Sequence, residues 1–95
     1  MNMVDYQMAE YTAKQMLDCF KSHKQIPNDI FENLLTSSAY LVIQKAPIGP
    51  NVENLYRYLE AAYAYGDLNK LDGFDQSFIY GVTKFYDKFQ EIKNN

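Results

Sequence analysis

Tryptophan is absent from this chain, and cysteine, histidine and arginine each occur once. Each shortage removes a class of function. A single cysteine cannot close an intramolecular disulfide, which fits a reducing compartment. One cysteine and one histidine fall short of the four ligands of a structural zinc site. The Glu-x-x-His pairs of a carboxylate di-metal bundle are missing too. A lone arginine, Arg57, is too little for an active site that gathers several cations around a dianionic substrate. No glycine-rich phosphate loop occurs. The longest apolar runs, AYLVI at 39–43 and AAYAY at 61–65, are far shorter than the roughly 20 residues that span a bilayer. The first residues, MNMVDYQMAEY, carry Asp5 and Glu10 and lack the basic and apolar regions of a signal peptide. Positive charge is also scarce: nine basic side chains face twelve acidic ones, a net charge of -3. That balance disfavours nucleic acid and anionic membrane surfaces. The expectation is a cytoplasmic protein that is not an enzyme, with no cofactor and no metal.

Two near-motifs point the same way. Cys19 and His23 stand four residues apart, a spacing that could pair a thiol with a base. Cys19, however, falls beside Met16 and Phe20 on an apolar face, and nothing supplies an orienting group. A structural cysteine and a helix-end histidine, favourable at the negative end of a helix, is the better reading. The stretch Asp67-Leu68-Asn69-Lys70-Leu71-Asp72-Gly73 approaches a calcium loop. It has one residue too many before Asp72, and Phe78 stands where the bidentate glutamate belongs.

What the chain has in quantity is tyrosine and phenylalanine, nine and six residues, set in four segments of helical periodicity. Ninety-five residues make one domain. Segment one, about 4–22, places Tyr6, Ala9, Ala13, Met16, Leu17 and Phe20 on one face. Segment two, about 29–46, opens with Asp29-x-x-Glu32, a capping-box pattern, and lines up Ile30, Phe31, Leu34, Leu35, Leu41 and Val42. Its Ser37, Ser38 and Ala39 are small enough for close approach, and Pro47 ends it. Segment three, about 51–66, follows Gly49-Pro50, with proline near a helix start. Segment four, about 74–93, carries Phe74, Phe78, Val82, Phe85, Phe89 and Ile92, with Gly81 among them and Asp72 as N-cap. No segment alternates with a period of two, so no strand is predicted. Short connections between antiparallel neighbours imply an all-α, single-domain antiparallel four-helix bundle.

Segment three, VENLYRYLEAAYAYGDL, holds four tyrosines. Tyr56 and Tyr63 share the apolar face with Val52, Leu55, Leu59 and Ala62. Tyr58 and Tyr65 fall on a flank with Asn54 and Ala61. Two readings of that flank stand: a contact surface, since tyrosine is enriched in interfaces, or a second buried side of a central helix. From residue 60 to 75, Glu60, Asp67, Asp72 and Asp75 face Lys70 alone. An acidic end beside exposed tyrosines would suit a cationic partner, but a solvated loop with a helix-capping Asp is the better reading of the charges alone. The candidate partner-binding set is Tyr58, Tyr65, Tyr80, Glu60, Asp67 and Asp72.

Two stretches, IFENLLTSSAYLVIQKA and NVENLYRYLEAAYAY, joined by a short Pro/Gly loop and followed by DQSFIYGVTKFYDKF, resemble the helices of immunity proteins for pediocin-like (class IIa) bacteriocins. The resemblance covers roughly residues 30–92 and rests on apolar spacing with scattered identities. It implies a cytoplasmic antiparallel four-helix bundle that protects a bacterium from its own membrane-active peptide. Such proteins act on the complex of bacteriocin with the mannose phosphotransferase membrane receptor, and the C-terminal half carries much of the specificity. Many members are lysine-rich, whereas this chain is acidic, so no individual residue role is carried over. The alternative is a small phage or mobile-element helical inhibitor or adaptor that binds a host protein. For the immunity reading, replacing Tyr58 and Tyr65 by alanine should leave folding intact and remove protection.

Overall fold

Proline and glycine divide the chain where the periodicity breaks, and each segment between them coils. In a computed structural model the helices are α1 (Met3–Ser22), α2 (Asn28–Gln44), α3 (Pro50–Tyr63) and α4 (Gln76–Asn94), with a 3-10 turn at Leu68–Leu71. The structure describes residues 3–22, 24, 26–44 and 48–94, without the side chains of 38–44, 92 and 93. The expectations placed on His23, Ser38, Ala39, Leu41, Val42, Pro47 and Ile92 lie outside the described residues or side chains. Among the described residues there is no strand, and the fold is the all-α bundle that the periodicity implies.

Each helix buries the face its apolar spacing marks. The fully buried side chains include Met16 and Phe20 of α1, Leu34 of α2, Leu55 and Leu59 of α3, and Val82, Phe85 and Phe89 of α4. Each such burial is worth about 1.5–3 kcal/mol. Tyr6 and Leu17, assigned to the face of α1, are only partly covered, and Thr12 is buried in their place. Tyr86 is buried as well: it stacks on Tyr56 and tilts against Tyr63, so a line of tyrosine rings runs between α3 and α4.

The order of the helices in space is not their order in the chain. α1 packs on α2 and α3, and α4 packs on α2 and α3. Consecutive α2 and α3 thus lie across a diagonal among the described residues. The five residues between them reach up to about 18 Å, and the diagonal of four helices about 10 Å apart is about 14 Å. α1 and α3 run in the same direction, because Glu10 reaches the start of α3 while Phe20 lies on Tyr58 farther along both. α3 and α4 run oppositely, with Tyr56 against Phe89 and Tyr63 against Thr83.

Three terminus assignments need correction. α4 starts at Gln76, and its N-cap is Asp75, whose Oδ1 accepts from the Phe78 N–H at 2.8 Å and from the Ser77 hydroxyl at 2.9 Å. Asp72 instead ends the 3-10 turn, its N–H donating to the Asn69 carbonyl. The apolar spacing misleads here because Phe74 lies on Phe20 and Phe78 without being helical. The left-handed Gly73, at φ 87°, separates it from the turn. α2 starts at Asn28, which puts Asp29 in the first turn rather than at the cap. α3 ends at Tyr63, not at Gly66: the Glu60 carbonyl takes the N–H groups of Ala64 and Tyr65, and Gly66 turns the chain at φ 77°. Asp75→Ala is expected to cost about 1 kcal/mol, the usual loss for an N-cap, read as a lower denaturant midpoint.

Candidate functional site

The flank of α3 that carries Asn54, Tyr58 and Ala61 becomes one wall of an open groove. Leu17 and Lys21 of α1 form the other wall, and Arg57 and Lys70 close it at the rim. The groove measures about 420 Å³. A neighbouring hollow of about 370 Å³, reached past Asp67 and Asn69, shares Lys21, Tyr58 and Lys70 with it.

Tyr58 is the floor where the two hollows meet. Its ring stacks on Phe20 at 5.2 Å, its hydroxyl donates to the Lys70 carbonyl at 2.8 Å, and the Lys70 ammonium lies 4.7 Å from the ring centroid. One side chain thereby ties α1, α3 and the 3-10 turn together. Of the two readings left open for the flank, Tyr58 takes the covered one: it is half-buried, because the 3-10 turn folds back over the flank. Tyr58→Phe should lose about 0.5–1.5 kcal/mol, one net hydrogen bond. It should also speed amide exchange at Leu71 and Asp72 without altering α1, as read by hydrogen exchange. Tyr58→Ala removes the stack too, so the double alanine variant with Tyr65 does not leave folding untouched.

The other expected residues separate. Tyr65 is 77% exposed, Leu68 63% and Tyr80 64%. Tyr80 lies one turn before Thr83, whose hydroxyl is 2.9 Å from that of Tyr63, so Tyr65 and Tyr80 belong to the same end of the bundle. The Lys84 ammonium rests 4.6 Å from the Tyr80 ring. Glu60 is half-buried, and its charge acts on Tyr86 of α4, away from the groove. Asp67 belongs to the groove and stands 3.8 Å from the Lys70 ammonium. Asp72 is exposed at the end of the turn. The structure thus unites Tyr58 and Asp67 with three cations, Lys21, Arg57 and Lys70, that the sequence reading left unassigned. Their signal was present: Arg57 neighbours Tyr58, and Lys70 interrupts the acidic stretch. That Lys21 of α1 joins them is a tertiary fact.

Three tyrosine hydroxyls have pKa values above the ordinary value of 10.0. Burial is the main cause in each. Asp67 adds to it at Tyr58, Asp87 at Tyr63, and Tyr56 and Glu60 at Tyr86. A raised native pKa means that the unfolded chain loses these protons first as pH rises. Stability from these groups is complete below about pH 10 and falls as pH climbs through the higher native values. Absorbance titration of tyrosinate should show these three ionising late, together with alkaline unfolding.

No protein-family model, curated protein or solved structure matches the chain at a significant level. No helix among the described residues is long and apolar enough to cross a membrane.

Proposed function

We propose that this chain is a non-catalytic binding protein, of the bacteriocin-immunity kind, that works through protein–protein contact at the end of the bundle where α3 stops and α4 begins. The observation that carries the reading is the exposure of Tyr65, Leu68 and Tyr80, which lie in the chain between the end of α3 and the first turns of α4. Large aromatic and apolar side chains left in water on a scaffold with a filled core are characteristic of contact surfaces. The all-α architecture of four helices agrees with what the resemblance implies, except that the neighbouring α1 and α3 run parallel, and the exposed end lies in the C-terminal half. In this reading the protein is cytoplasmic and meets the bacteriocin-bound sugar phosphotransferase receptor at the membrane without entering the bilayer.

The test is recovery of partners by the tagged chain from detergent-solubilised membranes of the source cells, with and without a class IIa bacteriocin. Bacteriocin-dependent recovery of the mannose phosphotransferase subunits is the expected result. Tyr65→Ala with Tyr80→Ala should abolish that recovery while leaving the circular dichroism spectrum and melting temperature unchanged. Recovery of a soluble host protein regardless of bacteriocin would replace this reading with that of an inhibitor or adaptor.

A further inference from the structure

The α1/α3 groove is a cationic feature on an acidic protein. Its two connected hollows are lined by Lys21, Arg57 and Lys70 against one carboxylate, Asp67, whereas the whole chain carries -3. The three cations come from three separate elements, α1, α3 and the 3-10 turn, so no single helix's charge pattern accounts for their convergence. Among the described residues Arg57 pairs with Glu53 one turn back, at 3.3 Å and with its side chain 67% exposed, and Lys70 pairs with Asp67 at 3.8 Å while resting on the Tyr58 ring. Both pairs are partly open to solvent, where an ion pair contributes little. Lys21 has no ion-pair partner among the described residues. Between the charges lie Leu17, Ala61 and the Tyr58 ring, an apolar and aromatic strip.

We propose that this groove binds an acidic segment of a polypeptide partner. Its carboxylates engage Lys21 and Arg57, and an apolar or aromatic side chain between them lies along Leu17 and Tyr58. The inference rests on the binding-protein reading above and names the chemistry of the partner. It differs in sign from the cationic partner that the acidic stretch would suit, because folding turns Lys70 and Tyr58 into the groove and Glu60 toward α4.

Two features select a chain of single carboxylates over a compact dianion such as phosphate. Lys21 stands in the last turn of α1, where the helix end is partially negative. Asp67 lines the same hollow. Both raise the cost of dense negative charge, while separate carboxylates spaced along the groove avoid it. A nucleic-acid strand would need more phosphate contacts than three cations offer and would be repelled by the rest of the surface.

The experiment is a titration of the full chain with a short oligoglutamate peptide carrying one central phenylalanine, followed by amide and arginine side-chain NMR shifts. Oligolysine of equal length and inorganic phosphate are the comparison probes. Saturable shifts at Lys21, Arg57, Tyr58 and Lys70 are expected. The affinity should fall about tenfold in Lys21→Gln/Arg57→Gln, the loss of two exposed ion pairs. It should fall further in 1 M salt, where the screening length is about 3 Å. Neither variant residue is buried, and an unchanged melting temperature verifies the fold. Shifts scattered over Lys14, Lys84 and Lys88, or no saturation, would overturn the proposal. Phosphate producing the same shifts at the same concentration would overturn the polypeptide class. Failure here with bacteriocin-dependent recovery intact removes this inference alone; peptide binding without such recovery removes the immunity reading alone.

Discussion

Phe20→Ala is expected to lower the unfolding free energy by about 3–5 kcal/mol, the range for deleting a fully buried phenylalanine. Against the total of about 5–15 kcal/mol typical of a domain, that is a large share of the stability. Phe20 has no exposed surface, and three rings meet it: Tyr58 and Phe74 at 5.2 Å and Phe78 at 5.7 Å. Those rings come from α3, from the approach to α4 and from α4 itself. The residue therefore fixes the end of α1 against the segment that leads from α3 into α4. The loss should appear in urea unfolding as a lower midpoint with an unchanged slope. Hydrogen exchange should show the 3-10 turn opening first, because its fastening residue, Tyr58, stacks on the missing ring. A loss below about 1 kcal/mol would mean that the cluster is not assembled as described.

The second large effect concerns the start of α3. A helix begins with several N–H groups that lack helical acceptors. Here Pro50 has no N–H, and the N-cap, Gly49, has no side chain to offer. The acceptor comes from another helix: Glu10 of α1 takes the Asn51 N–H on Oε1 at 3.0 Å and the Val52 N–H on Oε2 at 2.9 Å. The Glu53 N–H completes the turn on the Gly49 carbonyl at 3.0 Å. A carboxylate seated on a helix N-terminus gains from the helix dipole as well as from its hydrogen bonds. A Cβ at residue 49 would overlap the Glu10 carboxyl group and the Tyr6 hydroxyl. Glycine is therefore required for close approach, at an ordinary φ of -79°.

Glu10→Ala is expected to cost about 2–3 kcal/mol, the scale of charge-assisted bonds to a partly buried group. Gly49→Ala should cost about 1–3 kcal/mol by displacing that carboxylate. The two effects should not add. With Glu10 already gone, the alanine at 49 displaces only Tyr6, so the double variant should fall short of the summed losses by about 1 kcal/mol or more. Strict additivity in the double-mutant cycle would place the carboxylate elsewhere.

Gly81 repeats this logic on α4. A Cβ there would meet the Phe31 ring of α2. Alanine would gain about 1 kcal/mol of helix propensity, but the ring that holds α2 on α4 would have to move.

Periodicity made the helices legible because a 3.6-residue repeat is a local property of the chain. It marked α1 and α3 nearly to their ends, and it placed Phe20, Leu34, Leu55, Leu59, Val82, Phe85 and Phe89 inside. It also set the buried Tyr56 apart from Tyr58 and Tyr65, whereas Tyr63, placed on the same apolar face, is only half-buried. The start of α4 was misread because Phe74 keeps the helical spacing while sitting outside the helix. A stronger clue was available there, in Asp75 placed three residues before Phe78.

The sequence by itself determined the class of fold, the core faces and the absence of familiar catalytic motifs, since all of these follow from residue type and spacing. Only the tertiary structure decided which of the flank tyrosines is free. Tyr58 and Tyr65 are equivalent on a helical wheel, yet the 3-10 turn returns its Lys70 carbonyl to one and leaves the other in water. The tertiary structure likewise brought Glu10 to α3 and Lys21 to Arg57. These contacts depend on the spatial order of the four helices, which a local repeat does not encode.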